Sequence, residues 1–272
     1  MLLICTLLLP FTSSMDSYST FDSLIFDLDD TLYSSNIGFG DATKRNIDDF
    51  LVEKCGFEER KASALRVQLF KTYGSTLAGL RALGYDVDAD DYHQIVHGRL
   101  PYHLIKPDPE LRNLLLTISQ RKIIFTNSDR AHAMKALKLL GIHDCFEQII
   151  CFETMNPNLF NSKSSSPKEF PVVLKPSLEA INIAIDMAEV DPNRTLFLDD
   201  NIRNIAAGKV VGLQTVLVGK TMKTKEADYV LERIHNLMQV VPEIWFTNKD
   251  NNVLKRNSSE INLTLNPTHI AV

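Results

Sequence analysis

The sequence predicts an α/β fold: a doubly wound parallel sheet (Rossmannoid) core with an inserted helical cap domain. Three short apolar runs that end in polar residues lead to this prediction: residues 23–27 (SLIFD), 122–127 (KIIFTN) and 195–200 (TLFLDD). Continuous apolar runs of this length are typical of parallel strands that are buried on both faces. Three weaker strand patterns complete the predicted sheet, at residues 148–152, 214–218 and 227–230.

Helical patterns follow two of the strong strands. Residues 131–140 end before Gly141, and residues 201–211 end before Gly212. Glycine often ends a helix because it adopts the left-handed conformation without steric cost. The resulting alternation of strand and helix indicates a doubly wound sheet.

The cap prediction depends on a long segment that lacks strand alternation. Between the first two strong strands, residues 35–105 contain helical patterns instead. These patterns lie at residues 47–54, 60–73 and 90–97. We therefore predict that residues 35–105 form a helical cap inserted into the sheet domain.

The other residues divide into a core and two ends. The predicted core consists of residues 21–34 and 106–246, with a surface loop near 156–171 where Asn, Ser, Lys and Pro are frequent. Residues 1–20 are predicted to be an N-terminal extension. The polar residues 247–272 lack periodicity and are predicted to be a loose C-terminal tail.

Composition argues against several classes of protein. The net charge of −5 and the lack of a long basic run argue against binding of a nucleic acid polymer. Four scattered cysteines without a C-x-x-C pair favour a reducing compartment, so we expect a cytoplasmic or nuclear protein. The apolar start MLLICTLLLP has no preceding basic residue and is too short to span a bilayer. We expect no membrane association and a folded chain that begins near Met15, with targeting by residues 1–14 as the alternative.

Polar residues follow each of the three strong strands. Asp27 ends the first, Thr126 and Asn127 end the second, and Asp199 and Asp200 end the third. In an open parallel sheet, ligands bind beyond the carboxyl ends of the strands. We therefore expect these side chains to converge on one crevice.

The segment DLDDTL at residues 27–32 resembles the first motif of the haloacid dehalogenase superfamily. The other motifs of that family follow in the same order: Thr126 after a strand, Lys175 before a helix, and the acidic pair Asp199 and Asp200. Four ordered matches are far more specific than one short motif. The resemblance covers residues 21–245 and implies a hydrolase with a catalytic aspartate.

Hydrolysis of a phosphate monoester needs an in-line nucleophile, neutralisation of charge and a proton donor. We assign Asp27 as the nucleophile, which forms an aspartyl phosphate, and Asp29 as the general acid and base. Mg²⁺ prefers oxygen ligands. We expect it to be held by Asp27, Asp200 and, as the resemblance implies, the backbone carbonyl of Asp29. Asp29 favours a phosphatase over a dehalogenase, because the dehalogenase branch carries no Asp there.

Other polar residues are expected to assist this chemistry. Lys175, Thr126 and Asn127 supply donors and a positive charge for the phosphoryl oxygens. Asp199 and Asn204 are expected to support the metal site, although the sequence leaves open which acid of the pair is the direct ligand. Many relatives carry Asp where Asn204 stands, which leaves the role of Asn204 open.

The segments DLDDTLY, HGRLPY, FTNSD and FLDDN together resemble the pyrimidine 5'-nucleotidase branch of the superfamily. This resemblance implies a small phosphorylated metabolite as partner, a nucleotide such as UMP or CMP. Arg99 in HGRLPY could bind the substrate or form a structural ion pair, and the sequence favours neither. Sugar phosphates, lysophosphatidate and pyridoxal phosphate stay open as substrates, and a non-catalytic phospho-ligand-binding module is the rival class of function.

Two further expectations concern the predicted cap. An aspartyl phosphate must be shielded and then opened to water, so we expect the cap to move about hinges near Ser35 and Ile105. His93 and His97 have the spacing of zinc ligands on one helix face, but Gln94 stands where a zinc protease would need Glu. Because the sequence offers no third ligand, we expect both histidines to be packing residues. The oligomeric state stays open.

Overall fold

A computed structural model of the chain describes residues 20–161 and 171–245. The predicted C-terminal tail and nearly all of the predicted N-terminal extension lie outside the described residues. Most of the predicted loop at 156–171 lies outside them as well. None of the described helices is long and apolar enough to cross a membrane.

Six parallel strands form one sheet, in the order β3-β2-β1-β4-β5-β6. The bounds of the strands are β1 Ser23–Phe26, β2 Arg121–Phe125, β3 Gln148–Ile150, β4 Thr195–Asp199, β5 Gln214–Val218 and β6 Tyr229–Leu231. The central strand β1 pairs with β2 on one side and β4 on the other. The predicted parallel α/β sheet is confirmed, and each predicted strand overlaps an observed one.

The strands are mainly apolar because both faces of the sheet are covered. Leu24 and Phe26 of β1 join the hydrophobic cluster on one face, whereas Ile25 joins the cluster on the other. Successive side chains of a strand point to opposite faces, which divides the residues in this way. In β4, Phe197 packs on the same face as Ile25. The sheet is therefore a buried layer between two groups of helices.

Seven α-helices of the described residues lie after residue 105: α5 Pro109–Thr117, α6 Arg130–Leu140, α7 Phe152–Met155, α8 Asn158–Asn161, α9 Leu178–Ala188, α10 Ile202–Val210 and α11 Leu237–Val240. The α6 helix begins where the Asp129 carboxylate accepts the backbone N–H of His132, and it ends at Gly141 with φ 76°. Such side-chain caps and left-handed glycines satisfy backbone groups that the helix ends leave unpaired. The predicted helix ends at Gly141 and Gly212 agree with α6 and α10, and α9 is the helix predicted to follow Lys175, whereas the sequence did not predict α5.

Between β1 and α5 the chain forms a helical region with its own hydrophobic cluster. Its helices are α1 Phe39–Glu53, α2 Glu59–Tyr73, α3 Thr76–Ala82 and α4 Ala89–Val96. The pattern at 60–73 corresponds to α2, whereas the sequence did not predict α3 or the first half of α1. Phe152, which belongs to α7 beside the sheet, packs into the same cluster. The helical region thus rests on the sheet domain through apolar contact, close to the end of β3.

Gly208 allows α10 to lie close against β4. A Cβ built on Gly208 would stand 2.7 Å from Cδ1 of Phe197, a ring that is fully buried. We expect Gly208→Ala to lower the free energy of unfolding by about 1–2 kcal/mol, because overpacking outweighs the helix propensity that alanine adds. Denaturant unfolding measures this change in the free energy of unfolding. Gly40→Ala in α1 is the matched control, since no atom beyond its chain neighbours and the backbone of its own helix lies within 4 Å of the added Cβ. Equal stability of the two variants would contradict the packing argument.

Candidate active site

The predicted polar side chains lie at the carboxyl ends of β1, β2 and β4. Asp27 directly follows β1, Thr126 directly follows β2, and Asp199 is the last residue of β4. Lys175 reaches the same place from the segment before α9. Because these three strands are neighbours in the sheet, their ends open on one crevice.

Lys175 forms hydrogen bonds with residues at the ends of all three strands. Its buried ammonium donates hydrogen bonds to Oδ1 of Asp27 at 2.7 Å, to Oδ2 of Asp199 at 2.8 Å and to the carbonyl oxygen of Phe125 at 2.7 Å. Burial alone would lower the pKa of Lys175, but the Asp199 and Asp27 carboxylates outweigh it and raise the pKa. The ammonium therefore stays charged beside Asp27.

The backbone at Lys175 is fixed by Asn127. The Asn127 side chain accepts the backbone N–H of Lys175 at 2.9 Å and donates to its carbonyl oxygen at 3.0 Å. Both ends of the amide are thus engaged in holding the segment that carries the lysine. Thr126 is buried, and its hydroxyl oxygen accepts the backbone N–H of Ser128 at 3.1 Å. The hydroxyl proton of Thr126 is left to donate into the crevice.

Asp27 lies at the bottom of the crevice with both carboxylate oxygens engaged. Oδ1 accepts from Lys175, and Oδ2 accepts from the hydroxyl of Thr31 at 3.1 Å. Burial raises the pKa of Asp27 well above its ordinary value, against the opposing effect of Lys175. The next turn of the chain, at Asp30, has φ 61°, a left-handed conformation that Asp tolerates better than most residues. The backbone thus turns sharply within the DLDDTL segment, three residues after Asp27.

Three acidic groups form a cluster that could hold a metal ion. One carboxylate oxygen each from Asp27, Asp199 and Asp200 lies within 4.8 Å of the others. Asp199 is saturated by hydrogen bonds, since it accepts from Lys175, from the Asn204 amide at 2.9 and 3.0 Å, and from the backbone N–H of Asn201 at 2.9 Å.

Asp200 differs from its neighbour in the pair. No other residue in the described part of the chain donates a hydrogen bond to its side chain. Burial, together with the nearby Asp199 and Asp30 carboxylates, raises the pKa of Asp200 to about 7. A divalent cation would relieve this repulsion, and carboxylate oxygens are the ligands that Mg²⁺ prefers. The residues present therefore fit a magnesium ion.

Asp29 is held by three donors that sequence reasoning did not find. Its carboxylate accepts from the Tyr33 hydroxyl, from the Ser128 hydroxyl at 2.7 Å and from Nε2 of His132 at 2.7 Å. Burial alone would raise the pKa of Asp29, but the charge and hydrogen bond of His132 and the two hydroxyl donors outweigh it and lower the pKa. Nδ1 of His132 in turn contacts the Tyr102 hydroxyl at 2.8 Å.

A sequence model of the haloacid dehalogenase-like hydrolases matches residues 21–212. The chain belongs to this family. The match includes β1 to β4 and α10, and with them every residue of the crevice described above. The resemblance predicted from the ordered motifs is confirmed at the level of the superfamily.

Curated relatives of this haloacid dehalogenase-like hydrolase have names that refer to phosphate compounds. Phosphate metabolism protein 8 of Saccharomyces cerevisiae is 26% identical over 201 residues, which are 71% of this chain and 60% of the yeast protein. Pyrophosphatase PpaX of Bacillus pumilus is 23% identical over 238 residues, or 82% of this chain and 97% of that protein. The chain therefore matches less than two thirds of the yeast relative's length.

Solved structures share the fold at low sequence identity. A HAD phosphatase from Thermococcus onnurineus superposes with a TM-score of 0.55 at 16% identity, over 80% of this chain and 97% of the other. CbbY from Rhodobacter sphaeroides, in complex with phosphate, gives a TM-score of 0.54 at 16% identity, over 80% and 96% of the two chains. These similarities show the haloacid dehalogenase-like fold.

A cavity of about 440 Å³ opens beside Asp29 and extends to the helical region. Asp29, Asp30, Asn127 and Ser128 line its sheet side. The opposite side includes Phe39, Phe70, Tyr92 and other apolar residues of the helical region. The cavity thus has a polar end at the crevice and an aromatic, mainly apolar end.

Arg99 does not lie in this cavity. Its guanidinium donates two hydrogen bonds to the Glu53 carboxylate, at 3.1 and 2.9 Å, on the exposed surface of the helical region. Arg99 is also absent from the residues that line the cavity. Of the two roles left open by the sequence, the structure favours the ion pair over substrate contact.

Proposed function

We propose that this haloacid dehalogenase-like hydrolase is a Mg²⁺-dependent phosphatase for a small phosphate monoester, with a pyrimidine nucleoside 5'-monophosphate as the preferred substrate. One observation carries the proposal. Asp27 lies against a buried, charged lysine, and Asp29 lies where the crevice meets a cavity of substrate size. The names of the curated relatives, which refer to phosphate metabolism and pyrophosphate, agree with this chemistry.

In the first step, a carboxylate oxygen of Asp27 attacks phosphorus, and the bond from phosphorus to the leaving oxygen breaks. Asp29 acts as the general acid by passing to that leaving oxygen a proton from His132, whose ring donates to the ionised Asp29 carboxylate at 2.7 Å. Lys175 and the Thr126 hydroxyl stabilise the phosphoryl oxygens. Asp29 then takes a proton from water, whose oxygen attacks the aspartyl phosphate, so that inorganic phosphate leaves and Asp27 is restored.

Magnesium, when bound by Asp27, Asp200 and the backbone carbonyl of Asp29, would offset the negative charge shared by the nucleophile and the phosphoryl group. The hydrogen bonds support this choice of ligands. Asp199 uses its oxygens to fix Lys175 and Asn204, whereas no other residue of the described ranges 20–161 and 171–245 donates to the Asp200 carboxylate. We therefore propose Asp200 as the direct ligand, with Asp199 and Asn204 as supporting residues.

The leaving group lies on the Asp29 side, because Asp29 protonates it. The cavity extends in this direction, and residues 35–105 cover it as the proposed cap. Aromatic rings such as Phe39 and Phe70 can stack on a planar base. This lining favours a nucleotide over a sugar phosphate or lysophosphatidate, while pyridoxal phosphate, also planar, is the nearest rival.

We propose a cytoplasmic or nuclear location. The described cysteines Cys55, Cys145 and Cys151 are all free thiols, which agrees with a reducing compartment. The rival function, a non-catalytic binding module, does not explain why a nucleophile, an acid and a cation meet in one crevice.

Phosphate release from a substrate panel tests the proposal directly. The panel contains UMP, CMP, AMP, GMP, glucose 6-phosphate, lysophosphatidate and pyridoxal phosphate, each assayed with Mg²⁺ and with a chelator. We expect Mg²⁺-dependent release that is fastest with UMP or CMP. Equal release in the chelator would contradict the metal dependence, and preference for a sugar or lipid phosphate would contradict the nucleotide assignment. No release from any substrate would favour the binding module.

The base preference is tested at Phe70, a half-exposed ring that lines the cavity. We expect Phe70→Ala to lower kcat/KM for UMP by about tenfold, because stacking of a base on an aromatic ring is worth about 1–3 kcal/mol. A substrate of the panel without an aromatic group should be unaffected. Tyr73→Ala is the control, since Tyr73 is exposed on the same helix and does not line the cavity. An equal loss for both substrates would argue against stacking.

His132 is proposed to position Asp29 through their 2.7 Å hydrogen bond. We expect His132→Asn to lower kcat by about tenfold, with a smaller change in KM, because the proton-transfer geometry of Asp29 relaxes while the phosphate contacts remain. Steady-state kinetics on UMP measure both constants. His143→Asn, at an exposed histidine, is the control. A kcat equal to that of the control would exclude the positioning role.

A further inference from the structure

His93 and His97 do have a third polar partner, contrary to the sequence-based expectation. His93 belongs to α4 and His97 follows its last residue, while Asp129 lies beyond β2 at the start of α6. Nδ1 of His93 is 3.6 Å from Oδ2 of Asp129, and Nδ1 of His97 contacts the same oxygen. One potential ligand atom from each of the three residues lies within 4.8 Å of the others. The i,i+4 spacing of the two histidines could not predict this third potential ligand, because Asp129 is more than thirty residues away in the sequence.

Asp129 is oriented by the helix that it caps. Its Oδ1 accepts the backbone N–H of His132 at 2.8 Å, which satisfies one of the free donors at the start of α6. This bond leaves Oδ2 turned toward the two imidazoles. The carboxylate is thus held in position by the sheet domain, whereas the histidines belong to the helical region.

His93 is buried without a hydrogen bond. Only 8% of the residue is exposed, and neither ring nitrogen has a hydrogen-bond partner in the described part of the chain. Its ring packs against Phe152, with centroids 4.4 Å apart. Burial and the neighbouring His97 lower the pKa of His93 to about 3, so the ring is neutral and offers a lone pair. A buried polar atom without a partner needs an explanation, and a bound ion is one.

We propose that His93, His97 and Asp129 bind a transition-metal ion of the Zn²⁺ class, which joins α4 to the sheet domain. Two imidazoles and one carboxylate form a donor set that suits Zn²⁺, with Zn–N distances near 2.0–2.1 Å and a fourth position left for another ligand. The all-oxygen cluster of the active site suits Mg²⁺ instead. The two sites therefore select different metals by ligand type.

Binding of the ion would change the contact between the helical region and the sheet. His97 shares a hydrogen bond with Asp129, and a bound ion would take the place of the proton in that bond. The α4 helix is then fixed to the residue that caps α6. This inference does not rest on the proposed phosphatase activity, because it concerns only how the three side chains bind metal.

Calorimetric titration of the chelator-treated full chain with Zn²⁺, in saturating Mg²⁺, tests the site. Mg²⁺ occupies the all-oxygen cluster, so we expect one equivalent of Zn²⁺ to bind elsewhere. His93→Asn and His97→Asn should each weaken this binding by about a hundredfold or more, since even loss of a residue that only supports a ligand costs about 10–100-fold. His103→Asn, at an exposed histidine of the helical region, is the matched control. Asp27→Asn should leave the binding intact.

Co²⁺ provides a second measurement that does not depend on a variant. A four-coordinate site with nitrogen ligands gives much stronger visible absorption than an octahedral all-oxygen site. We expect strong absorption in the wild type, displaced by Zn²⁺ and not by Mg²⁺. Weak absorption would overturn the proposal, as would Zn²⁺ affinity in His97→Asn equal to that of the His103→Asn control. Zn²⁺ binding that disappears in Asp27→Asn would also overturn it.

Discussion

Asp27→Asn is expected to lower Mg²⁺-dependent phosphate release by about 10⁴-fold or more. The amide keeps the shape of the side chain and its place beside Lys175, but it cannot serve as the nucleophile that forms an acyl phosphate. The variant should still fold, because Lys175 keeps the buried Asp199 carboxylate as a partner at 2.8 Å and burial disfavours the charged form of Asp27. Phosphate release from the fastest substrate of the panel measures the loss, and denaturant unfolding checks the fold.

Asp186→Asn is the matched control for this change. Asp186 is an exposed residue of α9, and the same substitution there removes one charge from the chain without touching the crevice. Full activity in the control and none in Asp27→Asn would support the nucleophile. Turnover in Asp27→Asn within tenfold of the wild type would exclude it.

Lys175→Met is expected to reduce both activity and stability. Without the ammonium, the Asp27 and Asp199 carboxylates face each other in a buried site with no cation between them. Breaking a buried ion pair by removal of one partner costs about 3–5 kcal/mol of unfolding free energy. The phosphoryl group also loses a donor, so we expect kcat to fall by about 10²–10³-fold. Chemical unfolding with a chelator present and steady-state kinetics with Mg²⁺ measure the two effects separately.

Two variants test the cause of the lost stability. Lys209→Met removes an exposed lysine that pairs with Asp228 at 2.7 Å, and its effect should stay within about 1 kcal/mol, as is usual for surface ion pairs. Adding Asp27→Asn to Lys175→Met should recover part of the stability, because it removes one of the two carboxylates left facing each other. No recovery would indicate that packing, not charge, accounts for the loss.

The sheet could be predicted from the sequence because the pattern that specifies each strand lies within a short segment of the chain. Each strong strand is a continuous apolar run, and burial on both faces requires such a run whatever lies around it. The helix ends at Gly141 and Gly212 could be predicted for the same reason, since a glycine that ends a helix is also a local feature. Helices α3 and α5 were missed, because they gain much of their stability from packing that a short window of sequence does not contain.

The positions of Asp27, Thr126 and Asp199 followed from the sheet as well, since parallel strands bring their carboxyl ends together. The hydrogen-bond partners of Asp29 could not be predicted from the sheet. Ser128 and His132 reach it only because the start of α6 packs beside the turn after β1. No spacing rule in the sequence relates residues that are about a hundred positions apart.

The sequence by itself determined the fold class, the family and the residues that meet at the ends of the strands, because short segments specify strands and motifs. Only the tertiary structure decided where the helical region lies against the sheet. That placement brings Asp129 to His93 and His97, while packing within the helical region pairs Arg99 with Glu53. The physical reason is that contacts between two units depend on how both pack, and the free energy of such packing is spread over many distant residues.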